Sequence, residues 1–371
     1  MREERIKKGL LVFVMAVLLL PFIQQCFPFI TSGKLQGYYT NAGDMDFSWK
    51  SWFDGSYRDY KSSFLNDHVG FRPDLLRLNS QIDFSLFQKC DYGGTTLGKD
   101  EYLFYTDYID AYYGRDCVDY KVLQERMIKL KALQDTLARC GKTLMLVYAP
   151  CKAWYCSEYI PSFMKEPRGD HNNYKTSLGI GDSLGIERID FNAWFLSMKK
   201  STKEILYSRQ GIHWTNYGAI LAGDSITKYI ERVRHIHMAR PQWQKVIHTT
   251  SPRRPDNDMS DILNLIFPIT NDTFCYPELT YKNYTGITKP KCIYIGDSYN
   301  INLLTTGIIQ HTYSDWQLWF YWRSIMNDSN WDKAVDFPKI KNYDWKTAIN
   351  NTDCIILLYT PKNTNDIGQA L

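Results

Sequence analysis

Lys291-Cys292-Ile293-Tyr294-Ile295-Gly296-Asp297-Ser298-Tyr299-Asn300 is the stretch that decides the fold. A short apolar run ends in a Gly-Asp-Ser turn, and a mixed segment from Ile301 to Ile309 follows. An apolar run of this length bounded by glycine reads as a buried parallel strand. Gly296 allows a sharp turn at the strand's carboxyl end. Ser298 then stands where open α/β sheets bind their ligands, beside the start of the next helix. Backbone N–H groups at such a place can hold an oxyanion.

The triplet alone says little, because Gly-Asp-Ser occurs three times, at 181–183, 223–225 and 296–298. The first continues with Leu184, but no buried strand precedes it. The second lies inside a helical pattern around Ala219, Ile220, Leu221 and Ile226. Only Ser298 has the strand–turn–helix context that gives such a motif a meaning. Even there, a loop serine that caps a helix is the plainer alternative.

Working outward, strands alternate with helices. Asp119 to Cys140 carries Val122, Leu123, Met127, Ile128, Leu130, Leu133 and Leu137 at helical spacing, and Gly141 ends it. Thr143 to Tyr148 reads as the first core strand, with Lys152 just past its carboxyl end as a possible site cation. Arg188 to Phe191 reads as a second strand, with a short helix at Ala193 to Lys199. Cys354 to Tyr359 reads as the last buried strand. This alternation predicts a doubly wound, mostly parallel α/β sheet.

Three segments are expected: an N-terminal anchor (1–30), an aromatic-rich cap module (31–115) and the α/β domain (116–371) with an insertion at about 235–290. Inside the insertion, Ser251-Pro252-Arg253-Arg254-Pro255 reads as a linker and Asp258 to Ile266 as a short helix. Trp316 to Trp331 is dense in aromatics.

Arg2, Arg5, Lys7 and Lys8 precede 22 residues, Gly9 to Ile30, in which Gln24 and Gln25 are the only strongly polar side chains. That length spans a bilayer once. Basic residues on the short side hold it in the cytoplasm and direct the body outward. A signal peptide is the rival reading, but no small-x-small cleavage site follows.

The 371 residues carry 44 Lys and Arg against 40 Asp and Glu, a net charge of +4. Four of the basic and two of the acidic residues fall in the first eight positions, leaving 40 against 38. That balance does not suggest a nucleic-acid partner. The 27 Tyr and 11 Trp suit sugar rings, and equally fill cores. Nine cysteines make an odd count. With Cys26 at the membrane edge, eight remain for pairing outside the cytoplasm, and Cys151 and Cys156 are close enough in sequence for a local bridge. No Cys/His pair has zinc spacing, and there is no P-loop or dinucleotide fingerprint, so no metal and no cofactor are expected.

The second informative segment is Ile205-Leu206-Tyr207-Ser208-Arg209-Gln210-Gly211-Ile212-His213-Trp214-Thr215-Asn216-Tyr217-Gly218-Ala219. A polar loop ends in His213-Trp214, and a helix runs on to about Arg234. A histidine on a loop before a helix is held by the scaffold yet free to act. A serine after a strand and such a histidine are the minimum for nucleophilic acyl transfer.

The order of "NDHVGFRPDLLRLN" (66–79), "GKDEYLFY" (98–105), "VYAPCKAWYCSEYIPS" (147–162), "LYSRQGIHWTNYGAILAG" (206–223) and "IYIGDSYN" (293–300) resembles the exported SGNH-hydrolase-like proteins of the alginate O-acetyltransferase type. These include the family named for an Asp-His-His-Trp motif. The histidine block precedes the serine block in that family, as here. The resemblance implies an extracytoplasmic enzyme, anchored in the inner membrane, that moves acetyl groups presented by a membrane-bound acyltransferase partner onto a polysaccharide. It implies Ser298 as nucleophile and His213 as general base; Gly296, Asp297, Trp214 and Lys152 are possible site neighbours by their places in the chain.

One position departs from the family pattern. The acid that should lie two residues before the histidine is Gly211, and Gln210 precedes it. A histidine is normally oriented by a carboxylate. Three readings stay open: a Ser–His dyad, a carboxylate brought from elsewhere, or a non-catalytic glycan-binding scaffold.

Overall fold

The computed structural model describes residues 2–37, 42–90, 92–166, 171–269, 272–281, 285–328 and 337–367. The chain divides into two compact units. One comprises Met1–Tyr92 with Ser260–Pro268, the other Gly93–Met259 with Ile269–Leu371. Residues 93–115, read from sequence as part of the cap module, therefore fall in the second unit.

The first unit is helical. Helix α1 (Arg2–Cys26) contains a stretch, Glu3–Cys26, long and apolar enough to cross a membrane. Its side chains from Leu10 to Ile23 are largely exposed. Helices α2 (Ser56–His68) and α3 (Arg72–Phe87) follow, the latter with Pro73 in its first turn, where a missing N–H costs nothing.

The second unit is built on a six-stranded mixed sheet. Its strands are β1 (Thr143–Tyr148), β2 (Arg188–Asp190), β3 (Lys291–Gly296), β4 (Asp315–Phe320), β5 (Ser324–Met326) and β6 (Cys354–Tyr359), in the spatial order β5-β4-β3-β6-β1-β2. All neighbours pair in parallel except β4 and β5, an antiparallel hairpin at one edge. In β3 every residue after Lys291 is buried, as is every residue of β6. Strands covered on both faces show continuous apolar runs, and this explains why both were visible in the sequence. Trp316 and Trp319 lie on β4; Trp331 falls outside the described residues.

Helix α4 (Tyr120–Arg139) packs on β1 and on α5 (Asn173–Leu184). Asp119 caps α4 by accepting from the Lys121 N–H. Its buried stripe is Leu123, Met127, Leu130, Gln134 and Leu137. Val122 and Ile128, expected inside, are exposed. The buried polar member is Gln134, whose amide donates to the Leu144 and Glu187 carbonyls and accepts from the Glu187 N–H. It satisfies backbone groups where β1 and β2 begin, and an apolar side chain there would leave them unpaired.

After α6 (Phe191–Met198) the chain runs through the His213 loop into α7 (Asn216–Arg234), capped by Thr215, which accepts from the Gly218 N–H. The other two Gly-Asp-Ser triplets lie within α5 and α7. An antiparallel hairpin, Val246–Thr249 with Phe274–Pro277, brackets an excursion that carries Asp258 at the start of α8 (Asp258–Leu263). Cys151 and Cys156 form no bridge. They are separate buried thiols flanking a helical turn, Lys152–Tyr155, and burial raises the Cys156 pKa to about 12. No disulfide is present among the described residues.

Candidate active site

Strand β3 delivers Ser298 to the carboxyl edge of the sheet. Gly296 has φ +151°, and a Cβ there would stand 1.8 Å from the Leu358 carbonyl oxygen of β6. Only glycine fits so close an approach. Asp297 is fully buried and turns away from His213. Its Oδ2 accepts from the Thr360 N–H (2.8 Å), the Thr360 hydroxyl (2.9 Å) and the Asn363 amide (2.8 Å), while Oδ1 accepts from the Tyr299 N–H (3.1 Å). These bonds tie the turn to the segment after β6 and leave Asp297 no relay role. Ser298 itself is half-buried at the head of α9 (Tyr299–Thr305).

His213 reaches the same place. Its Nε2 lies 2.7 Å from Ser298 Oγ, and its Nδ1 lies 2.5 Å from Asp258 Oδ2. Asp258 Oδ1 accepts from the Ile212 N–H at 3.0 Å, so one carboxylate holds both the imidazole and the peptide beside it. The side chains of His213 and Asp258 are 12% and 25% exposed. The carboxylate anticipated at position 211 thus comes from a residue 45 positions beyond the histidine.

Neighbouring bonds fix this crossing. The Met259 N–H donates to the Gln210 carbonyl (3.1 Å), and the Ser208 hydroxyl donates to the Asp256 carbonyl (2.7 Å) while accepting from the Gly211 N–H (2.8 Å). Arg209 binds Asp272 through its backbone N–H and its guanidinium. A Cβ on Gly211 would stand 2.7 Å from the Asp256 carbonyl oxygen, so the acid-bearing segment can pass only over a glycine.

Lys152 is fully buried and donates to the carbonyls of Arg209 (3.0 Å) and Gly211 (2.6 Å). Burial pulls its pKa down to about 8. It pins the histidine loop from beneath rather than meeting a ligand. Trp214, expected beside the site, is a core ring packed against Phe191, Phe195 and Tyr299. Tyr299 joins the two chemical segments: its hydroxyl donates to the Ile212 carbonyl (2.9 Å) and its ring meets the His213 imidazole edge-on at 4.8 Å.

Two further groups were not anticipated. Asp256 is almost wholly buried and accepts from the Asn216 N–H (2.8 Å); burial, with the Asp258 carboxylate nearby, pushes its pKa up to about 7. Tyr321 follows β4 in the left-handed region (φ 49°), as does Trp322 (φ 55°). Such conformations are strained for bulky residues and cluster at functional sites. Tyr321 is 38% exposed, but its hydroxyl end is desolvated among the Ser298 side chain, the Ser298 N–H and the Asn363 amide; that desolvation outweighs these bonds and raises its pKa to about 12.

Fold and site together define an SGNH-like α/β protein with a Ser–His–Asp relay at the carboxyl edge of its sheet. Residues 95–273 match the family described as SGNH hydrolase-like domain, acetyltransferase AlgX, a span that holds His213 and Asp258 and stops short of Ser298. A curated relative, named "Probable alginate O-acetylase AlgJ", from Pseudomonas putida, is 26% identical over 152 residues, 41% of this chain and 37% of its own length. The chain thus matches little more than a third of that relative.

Among solved structures, the O-acetyltransferase domain of Pseudomonas putida AlgJ aligns at 16% identity and TM-score 0.47, covering 73% of this chain and 92% of that one. Pseudomonas aeruginosa AlgX aligns at 13% and 0.44, covering 73% and 66%. A DHHW family protein from Eubacterium siraeum aligns at 11% and 0.39, covering 67% and 86%.

Proposed function

We propose that this chain transfers acetyl groups to hydroxyls of a polysaccharide through an acetyl-serine intermediate. The observation that carries the reading is the continuous relay from Ser298 Oγ through His213 to Asp258, with steps of 2.7 and 2.5 Å. A serine hydroxyl becomes a competent nucleophile when an imidazole takes its proton, and a carboxylate on the far nitrogen fixes the tautomer.

Ser298 Oγ attacks the acetyl carbonyl carbon as its proton passes to His213 Nε2. In this reading the tetrahedral oxyanion draws its hydrogen bonds from the Tyr321 hydroxyl and from the Ser298 N–H, which exchanges the Tyr321 oxygen for the developing charge. Collapse breaks the bond to the donor's leaving oxygen, which takes the proton from His213. A sugar hydroxyl then gives its proton to His213 and attacks acetyl-Ser298. Collapse returns the serine and releases the O-acetylated sugar. Water in place of the sugar makes the same site an acetylesterase.

In this reading the α/β domain, with residues 93–115 included in it, does the chemistry, and residues 31–92 form the cap module. Helix α1 tethers the body to the outer face of the inner membrane, where a membrane-bound acyltransferase partner supplies the acetyl group. The similarity to a protein named for alginate O-acetylation supports a polysaccharide acceptor. A non-catalytic scaffold is the alternative that Gly211 favours; the 2.5 Å approach of Asp258 to His213 Nδ1 supports the catalytic reading.

Incubating the full chain, purified in detergent, with a chromogenic acetyl ester tests the proposal. Mass spectrometry should find one acetyl group on Ser298, and addition of an acceptor glycan should move it to sugar. An intact Ser298→Ala protein that turns over the ester as fast as wild type would refute it.

A further inference from the structure

The hairpin that brackets the acid-bearing excursion carries a second cluster of reactive side chains. His248 and Cys275 are direct partners across its two strands. Glu204, from the loop entering the histidine segment, reaches both: its Oε1 lies 3.0 Å from His248 Nε2, and its carboxylate takes a hydrogen bond from the Cys275 thiol. The three candidate ligand atoms all lie within 4.8 Å of one another. His248 is half exposed, so an ion has a way in, while Cys275 is buried and holds its sulfur still.

We propose that Glu204, His248 and Cys275 form a zinc site that clamps the base of the excursion carrying Asp256 and Asp258. One carboxylate oxygen, one imidazole nitrogen and one thiolate sulfur are ligands zinc accepts, with water as the fourth. Zn–N and Zn–O bonds of about 2.1 Å and a Zn–S bond of about 2.3 Å require tetrahedral ligands roughly 3.3–3.7 Å apart. The pair at 3.0 Å opens by a few tenths of an ångström, which a half-exposed histidine permits. Binding releases the thiol proton to solvent, and the thiolate and carboxylate together neutralise the ion.

Sequence spacing could not reveal this set, since His248 and Cys275 lie 27 residues apart and meet only through strand pairing. The location gives the ion a task. The strands at 246–249 and 274–277 are the two ends of the loop that delivers the carboxylate to His213, and Glu204 stands just before the loop that delivers the histidine. Cross-linking all three restricts the unfolded chain and fixes where the excursion starts and returns.

The test needs no acetyl transfer, so it stands or falls apart from the proposed function. Tag-free full chain, stripped by chelator, is titrated with Co²⁺ and then with Zn²⁺. One Co²⁺ per chain should bind with a thiolate charge-transfer band, which Zn²⁺ abolishes, and Zn²⁺ should raise the melting temperature. Cys275→Ser should lose the band. His248→Gln, a change at a half-exposed position that leaves the fold intact by circular dichroism, should weaken Zn²⁺ binding by at least about a hundredfold, the upper range for losing even an outer-sphere partner. Absence of stoichiometric binding, or binding that His248→Gln leaves unchanged, overturns the assignment.

Discussion

The backbone carbonyl of Asp256 passes so close to Gly211 that a methyl group at 211 would stand 2.7 Å from its oxygen. The glycine at the position where an acid was expected is therefore a requirement of this site. It clears the path along which another segment brings Asp258 to the imidazole. Gly211→Ala should push that segment outward. Misplacing a catalytic group by about 1 Å can cost roughly a hundredfold in rate. We expect a loss of that order in kcat for acetyl-ester turnover, with KM little changed. Gly211→Asp, which supplies the acid expected from the sequence resemblance, should be no better, because its side chain meets the same carbonyl. Wild-type turnover in Gly211→Asp would show that the two segments do not cross as described.

Asp258 is the second subject of test. Its two oxygens hold the Ile212 N–H and His213 Nδ1, so Asp258→Asn keeps the shape and removes the charge. In Ser–His–Asp enzymes that change presents the wrong tautomer to the serine and lowers kcat by about 10⁴. The same loss is expected here with a folded protein, and Ser298→Ala in the same background should lower kcat further by far less than it does in the wild type, since residues acting as one unit are non-additive. A drop of under tenfold in Asp258→Asn would mean that the imidazole is oriented by something else.

Tyr321 can be tested by one atom. Tyr321→Phe removes the hydroxyl beside Ser298 and keeps the ring and the strained turn. Loss of one oxyanion donor costs about 10²–10³ in kcat. A loss in that range with unchanged thermal stability assigns the hydroxyl to the transition state. Unchanged kcat would limit Tyr321 to shaping the turn after β4.

The parts of this molecule that sequence revealed are those where burial imposes a pattern. β1, β3 and β6 are buried along nearly their whole length and appear as apolar runs; Gly296 and Ser298 appear because a turn must follow such a run. His213 was visible as a polar residue fixed between a loop and a capped helix. Asp258 was not, although it begins a short helix, because nothing periodic links it to a histidine 45 residues earlier. Its role exists only once the excursion folds back across Gly211, and at the sequence level that glycine registers only as a missing acid. Gln134 was lost for a related reason: a polar side chain interrupts the apolar stripe of α4, and its backbone partners lie on two strands not adjacent to it in sequence.

The carboxyl of Asp256 links the site to pH. Its pKa is pushed up to about 7 by burial, from an ordinary value of 3.8. Below the ordinary value both folded and unfolded chains hold the proton, and the group has no effect on pH dependence. Between about 4 and 7 the folded chain keeps a proton that the unfolded chain has lost, so stability falls as pH rises. Above 7 both forms are ionised and the penalty is complete: a buried carboxylate beside Asp258. Asp256→Asn mimics the protonated form and keeps an oxygen to accept from the Asn216 N–H. The variant's melting temperature relative to wild type should therefore climb from pH 5 to pH 8, and its turnover should lose any inflection near pH 7 that reflects a second negative charge near His213. A stability difference that stays flat across this range would show that Asp256 is already ionised at pH 5.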